Sequence, residues 1–275
     1  MQVWLITGCS TGFGRLFAEA ALADGHAVVA TARRVESLQG LGVAAPDRFL
    51  ALPVDVTDPA ACHLAVQETV NRFGSLDVLV NNAGYGMVGA LEESSSGEIR
   101  RMFETNVFGL IELTKAALPV MRAQQRGWIV NLSSIAGLAA TPGFSVYNAT
   151  KFAVEGLSEA LAGEVRALGI RVLLVEPGPF RTDFAGRSLV QTTPMADYQR
   201  TVGPTRKYVE QVDGTQTGDP ARAARAILDH IAGNRPELRM LLGKIAMDRI
   251  AVKLNSLQKE LESGRERALG ADFPS

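Results

Sequence analysis

Two cysteines in 275 residues, Cys9 and Cys62, are too few for a disulfide framework. Such scarcity fits a reducing compartment, and a cytoplasmic location is the expectation. The chain has almost no net charge, since 28 Lys and Arg against 29 Asp and Glu leave -1. No long basic run is present either, which argues against a nucleic-acid partner. Of the three histidines, His26 and His63 stand isolated, one in a turn and one in a helical stretch, and read as surface residues; no metal is expected. No apolar run approaches about 18 residues, so no membrane-spanning helix is expected. The first residues, Gln2-Val3-Trp4-Leu5-Ile6, are not a basic region followed by a long apolar core, and no signal peptide is expected. There is no internal repeat. What is present, 47% hydrophobic and 21% charged residues, is ordinary for a chain long enough to bury a sizeable core.

The first third reads as a nucleotide-binding start. Residues 3–6 form a short buried strand, closed by Thr7-Gly8-Cys9-Ser10-Thr11-Gly12-Phe13-Gly14, and residues 15–22 are helical. In that context glycines let the backbone approach a pyrophosphate, and a helix N-terminus offers free N–H groups. Gly8, Ser10, Thr11, Gly12, Phe13 and Gly14 are therefore candidate cofactor contacts, the alternative being a tight turn without a ligand. A second strand over 27–32 ends in Arg33-Arg34. An acidic residue at such a strand end holds a ribose 2′-hydroxyl, whereas an arginine accommodates a 2′-phosphate. Ala32 takes the acidic position and Arg33 follows it, so NADP(H) is favoured over NAD(H); a solvated strand end is the bland alternative.

A third strand is expected over 49–56, with Asp55 near its C-terminal end, then a helix from Asp58-Pro59 to about Phe73. Residues 77–80 form a strand closing on Asn81-Asn82-Ala83-Gly84. The capping box Ser95-Ser96-Gly97-Glu98 predicts one long helix reaching about Gln124, with Asn106 in its interior. Residues 128–132 form the next strand, and Ser133-Ser134 ends it. Strands alternating with helices imply right-handed βαβ units, hence an α/β fold with a doubly wound, Rossmann-type parallel sheet. Gly8 to Gly14, Asp55, Asn82 to Gly84 and Ser134 all fall at carboxyl ends of strands, where such sheets bind ligands.

Tyr147 and Lys151 lie four residues apart, which puts both on one helix face, about 6 Å apart along the axis. A phenol titrates near pKa ~10, and a neighbouring ammonium favours its ionised form. Alone, that pair is a weak signal. Taken with Thr7-Gly8-x-x-x-Gly12-x-Gly14, Asn81-Asn82-Ala83-Gly84, Asn106, Ser134 thirteen residues before Tyr147, and Pro177-Gly178, it resembles the short-chain dehydrogenase/reductase family over residues 1–183.

The resemblance implies reversible hydride transfer between a nicotinamide nucleotide and a carbonyl or alcohol. It implies that Tyr147 is the general acid of reduction and the base of oxidation. Lys151 would lower the Tyr147 pKa and bond the nicotinamide ribose, and Ser134 would polarise the carbonyl. Asn106 would kink its helix and hold a water linking Lys151 to solvent. Asp55 and Val56 would meet the adenine. Asn82, Ala83 and Gly84 would line the cofactor, with Pro177, Gly178 and Phe180 beside it and Thr182 on the carboxamide. Ser133 competes with Ser134, and the spacing to Tyr147 decides for Ser134. Thr11 stands where many NADP-dependent relatives carry a basic residue, so a 2′-phosphate would rest on Arg33, with Ser10 or Arg34. Relatives of this kind are commonly dimers or tetramers built on the helices of Asn106 and Tyr147, and a homo-oligomer is expected.

Beyond a strand at 170–176, residues 184–218 lose periodicity and read as a substrate lid or loop. Met87, Phe144, Phe180, Phe184 and Leu189 suggest an apolar pocket for a hydrophobic or aromatic carbonyl, although Met and Phe at such places are more often core. Residues 220–231 read as a helix, 237–242 as a strand and 244–269 as a last helix. On it Met247, Ile250, Leu254, Leu257 and Leu261 make a stripe that must bury, against its own domain or else a subunit or the pocket. The whole, 1–275, reads as one domain, with a cofactor and catalytic part at 1–183, the loop at 184–218 and a C-terminal part at 219–275. A nucleotide-sensing protein without turnover is a second reading, disfavoured by an intact Ser134, Tyr147 and Lys151. A sugar-nucleotide epimerase or dehydratase is a third, disfavoured by the glycine spacing and the small C-terminal part.

Overall fold

A computed structural model describes residues 1–273; the last two residues of the expected domain span lie outside them. The chain opens with β1 (Val3–Ile6), α1 (Gly12–Ala23), β2 (Ala27–Ala32), β3 (Phe49–Pro53), α2 (Pro59–Phe73) and β4 (Val78–Asn81). It continues through β5 (Gly86–Val88), α3 (Ser96–Phe103), α4 (Gly109–Gln124), β6 (Gly127–Leu132), α5 (Ser145–Val165) and β7 (Ile170–Pro177). The last part holds β8 (Leu189–Gln191), α6 (Gly203–Val212), α7 (Pro220–Ala232), β9 (Arg239–Leu242) and α8 (Lys244–Leu269).

Seven strands pair in parallel in the order β3-β2-β1-β4-β6-β7-β9, a doubly wound Rossmann-type sheet. Strand side chains alternate between two buried faces. Trp4, Ile6, Val78 and Val80 face Phe17 and Ala21 of α1 and Ile227 and Ile231 of α7. Leu5, Leu79 and Ile129 face Val66 of α2, Leu113 and Met121 of α4, and Leu161 of α5. A buried polar chain crosses the second face. Asn81 Nδ2 donates to Thr114 Oγ1 (3.0 Å) and Asn131 Oδ1 (2.9 Å), and Asn131 Nδ2 donates to Ser158 Oγ (2.8 Å). With its partners satisfied, such a chain pins α4 and α5 to the middle strands.

Four expectations need correction. The third strand stops at Pro53, because Ala32 at the end of β2 is its last partner and Thr57 then donates twice to Asp55 Oδ1 in a turn. The single helix expected from the capping box is interrupted by a π turn over Glu104–Phe108, which contains Asn106. The region 184–218 is not aperiodic. It holds β8, paired with β5, and α6, whose composition hides it because only Arg206 and Val209 are buried there. The stripe on α8 is mostly uncovered, since Met247, Leu254, Leu257 and Leu261 are exposed and only Ile250 is buried. In smaller departures, His26 is half-buried and stacks on Trp4, and the last strand begins at Arg239. Among the described residues no helix is long and apolar enough to cross a membrane.

Leu79 is fully buried at the centre of the sheet. Leu79→Ala is expected to cost about 2–5 kcal/mol, read as a lower urea midpoint with an unchanged slope.

Candidate active site

The β1–α1 turn is drawn tight against the end of β4. Thr7 Oγ1 accepts from the N–H groups of Asn82 and Ala83 (both 3.0 Å), and Asn82 Nδ2 donates to Thr7 O (2.8 Å) and Gly8 O (3.1 Å). At Gly14 a Cβ would come within 2.5 Å of both Gly8 O and Asn82 Nδ2, so only glycine permits this packing. Gly12 has φ +60°, a left-handed conformation that suits glycine. Thr11, which caps α1, makes no side-chain cap bond, so the first N–H groups of the helix have no side-chain acceptor there. A glycine cradle beside a helix N-terminus fits the pyrophosphate of a dinucleotide.

The turn opens on a cavity of ≈ 1010 Å³ along the carboxyl ends of the strands. This is ample for a dinucleotide together with a small organic molecule. Gly8, Ser10, Thr11, Gly12, Phe13, Arg33, Asp55 and Val56 line it, as do Asn82, Ala83, Gly84, Pro177, Gly178, Phe180 and Thr182. Ser134, Tyr147, Lys151, Phe144, Phe184 and Leu189 share the same cavity. Gly14, Arg34, Asn106 and Met87 do not line it. Gly14 serves the packing of the turn, Arg34 is exposed, and Met87 is buried behind Tyr147, Phe144 and Phe184. Arg33 is exposed at the cavity edge and forms no ion pair among the described residues.

Ser134 ends the run after β6 and accepts from Ala136 N–H (3.1 Å). Tyr147 sits in the first turn of α5, buried among the rings of Phe144 and Phe184 at centroid distances of 6.0 and 5.4 Å. Burial pushes its phenol up to about 12, and the nearby Ser134 hydroxyl pulls the other way. Lys151 Nζ donates to Leu132 O (2.6 Å) and stands 5.8 Å from the Tyr147 ring centroid. Burial lowers its ammonium to about 8, opposed by the charge of Glu155 one helical turn further on. Asn106 is buried; its Oδ1 accepts from Tyr85 N–H (3.1 Å), and its Nδ2 donates to Tyr85 O (2.9 Å) and Thr150 Oγ1 (3.2 Å). The π turn thereby ties the α3–α4 helix to the turn after β4 and to α5. Cys9, in the glycine turn, is buried with its thiol pushed up to about 12, which makes it inert.

Sequence reasoning missed Glu93, which braces the outer wall. It accepts from Ala90 N–H (2.7 Å), Met195 N–H (2.8 Å), Thr192 Oγ1 (3.0 Å) and Arg206 Nη2 (2.6 Å). Nothing local marks it, since most of its partners lie about a hundred residues away in sequence. Also missed were Tyr85, Thr141, Asn148, Tyr208 and Arg249, all of which line the cavity.

Residues 2–192 match the family model for short chain dehydrogenase. Oxidoreductase BOA17 of Botryotinia fuckeliana is 36% identical over 98% of this chain and 99% of its own. The 3-ketodihydrosphingosine reductase of Bacteroides thetaiotaomicron is 38% identical over 89% of this chain and 88% of its own. A crystal structure of a short-chain dehydrogenase from Streptomyces avermitilis superposes with TM-score 0.93 at 45% identity, covering 99% of this chain and 100% of that one. A Burkholderia phymatum homologue in complex with NAD (TM-score 0.81, 25% identity, 94% and 95% covered) and a serine dehydrogenase complexed with NADP+ (TM-score 0.76, 26% identity, 88% and 94% covered) share the fold.

Burial works against the charge of Glu93, but its hydrogen bonds from Met195, Ala90, Thr192 and Arg206 outweigh it and hold the carboxyl at about 2, below the ordinary 4.5. Its stabilising contribution is therefore complete above pH 4.5 and lost as pH falls toward 2. Glu93→Gln, which leaves Arg206 uncompensated, is expected to cost about 3 kcal/mol or more at neutral pH. Melting curves of wild type and variant should converge as the pH is lowered through that window.

Proposed function

The chain belongs to the short-chain dehydrogenase family of NAD(P)-dependent oxidoreductases, and from that premise we propose that it interconverts a hydrophobic ketone or aldehyde with the corresponding alcohol, preferring NADP(H). The carrying observation is the buried Tyr147, which shares one cavity with Ser134, Lys151 and the glycine turn. The nicotinamide, when bound, supplies or accepts the hydride.

Hydride arrival at a carbonyl carbon leaves negative charge on its oxygen, and a positioned O–H donor stabilises that charge. Tyr147, protonated at neutral pH, is the general acid, and Ser134 gives the oxygen a second hydrogen bond. As the phenol loses its proton, the Lys151 ammonium opposes the cost of a buried phenolate. Asn106, in its π turn, would hold a water through which Lys151 exchanges protons with solvent; π turns recur at functional sites. In the reverse direction the same phenolate takes the alcohol proton, so oxidation gains from higher pH.

Gly8, Gly12 and Gly14, with Ser10, Thr11 and Phe13, are assigned to the pyrophosphate, and Asp55 and Val56 to the adenine. Asn82, Ala83, Gly84, Pro177, Gly178, Phe180 and Thr182 are assigned to the nicotinamide half. Arg33, without a carboxylate partner among the described residues, supports a 2′-phosphate contact, with Ser10 beside it; Arg34 lies further off. Phe144, Phe184 and Leu189 support an apolar substrate, and the similarity to the Bacteroides 3-ketodihydrosphingosine reductase supports a keto group as the reacting centre. In this reading residues 1–183 carry cofactor and chemistry, 184–218 cover the substrate, and 219–275 complete a single domain. The exposed rings of Phe108 and Phe152 support a homo-oligomer packed on the helices of Asn106 and Tyr147.

Tyr147→Phe is expected to lower turnover at least about a hundredfold while NADPH still binds, read by fluorescence titration; a wild-type rate overturns the assignment. Arg33→Ala is expected to weaken NADPH roughly tenfold and NADH far less. Equal losses for the two cofactors would overturn the NADP preference.

A further inference from the structure

Among the described residues, Arg249 is the only member of α8 that lines the cavity. It is half-buried, and its Nη2 donates to Ala139 O (2.8 Å) and Thr141 Oγ1 (2.7 Å). Its Nε and Nη1 have no acceptor, and no carboxylate pairs with it, among the described residues. Burial depresses its pKa, with Tyr208 acting the other way. On the same wall, Asp183 pairs with Arg187, so those two charges cancel. Thr141 is tied in turn to the neighbour of the reacting phenol, since Asn148 Nδ2 donates to Thr141 O (3.1 Å). Asn148 is itself buried, lines the cavity, and keeps an Oδ1 without a partner.

We propose that Arg249 is the substrate's anion anchor, and that the molecule reduced or oxidised here is a keto or hydroxy acid: a carbonyl at Tyr147, an apolar body along Phe144 and Phe184, and a carboxylate on the Arg249 guanidinium. The proposal rests on the carbonyl-oxidoreductase reading and narrows its substrate class. A guanidinium half drawn out of water without a carboxylate is costly to hold, and a charge-assisted hydrogen bond to a carboxylate offsets that cost. Nη2, which belongs to both parallel-bond edges of the guanidinium, braces the 139–141 turn, so the acid is met by a single charge-assisted bond from Nη1 or from Nε. Asn148 Oδ1 offers an acceptor beside it for a hydroxyl or a water bound to the acid. Tyr147 adjoins Asn148 in the chain, and hydrogen bonds from Asn148 to Thr141 and from Arg249 to Thr141 then set the register between the reacting carbon and the acid group.

The test compares acetylbenzoate and a graded series of oxo fatty acids, each against its methyl ester, as NADPH-dependent substrates. It also compares them as ligands of the NADPH complex by thermal shift. The expected result is a kcat/KM at least roughly tenfold higher for the best acid than for its ester. In Arg249→Gln that ratio should collapse toward one, and in Arg249→Lys it should be partly kept. Esters turned over as well as acids would overturn the proposal and leave the reductase reading intact. So would an equal fall for acid and ester in Arg249→Gln, which would make Arg249 only a brace for α8. Acids that bind the wild-type complex but not Arg249→Gln, with neither compound turned over, would uphold the anchor and overturn the reductase reading.

Discussion

How closely the first βα turn can sit on the end of the fourth strand decides most of what lies downstream. The Thr7 hydroxyl takes two backbone N–H groups from the β4 end, and the Asn82 amide returns two bonds to Thr7 and Gly8. That lattice requires the Gly14 backbone to pass within van der Waals contact of Gly8 and Asn82, which no side chain at residue 14 would allow. With the turn locked, the start of α1 faces the space above β1 and β4. The crossover from β1 to β4 is the switch point at which a doubly wound sheet opens a crevice. Ser134 and Pro177, at the ends of β6 and β7, then fall along the same crevice.

Burial governs the electrostatics of Tyr147 and Lys151, and it moves each of them toward its neutral form. It pushes the Tyr147 phenol up to about 12 and pulls the Lys151 ammonium down to about 8. For Tyr147 the opposing influence is Ser134, outside α5, and for Lys151 it is the charge of Glu155 one turn further along α5. Glu155 is held by Arg239, which also approaches Glu176. Burial and the neighbouring Glu155 push the Glu176 carboxyl up, with Arg239 acting the other way.

The outer wall is organised differently, by a single carboxylate rather than by a sheet. Glu93 gathers the 90–95 turn, the β8 end and α6, so the segment over the cavity is fastened at one buried ion pair. The sheet side of the cavity rests instead on the two buried apolar faces.

The sheet, its order of elements and the residues at its carboxyl edge were legible in the sequence, because a buried parallel strand is a short apolar run and a phosphate turn needs glycines at set spacings. The pairing of Tyr147 with Lys151 was legible for the same local reason, helix periodicity. The π turn at Asn106 was foreshadowed only as a kink, since no residue type marks the place where one extra residue enters a helical turn. Glu93, Arg206 and Arg249 were invisible: a charged residue in a turn or on a helix reads as solvated until its distant partners are known. The helix α6 was hidden because it buries two side chains, too few to show a period, and α8 carries an apolar stripe that its own domain leaves mostly exposed. Backbone geometry and local hydrophobic period were thus sufficient to determine the Rossmann sheet and its ligand edge. Only the tertiary structure decided which charges are buried, what they touch, and how the outer cavity wall is closed, because those depend on contacts between residues about a hundred positions apart.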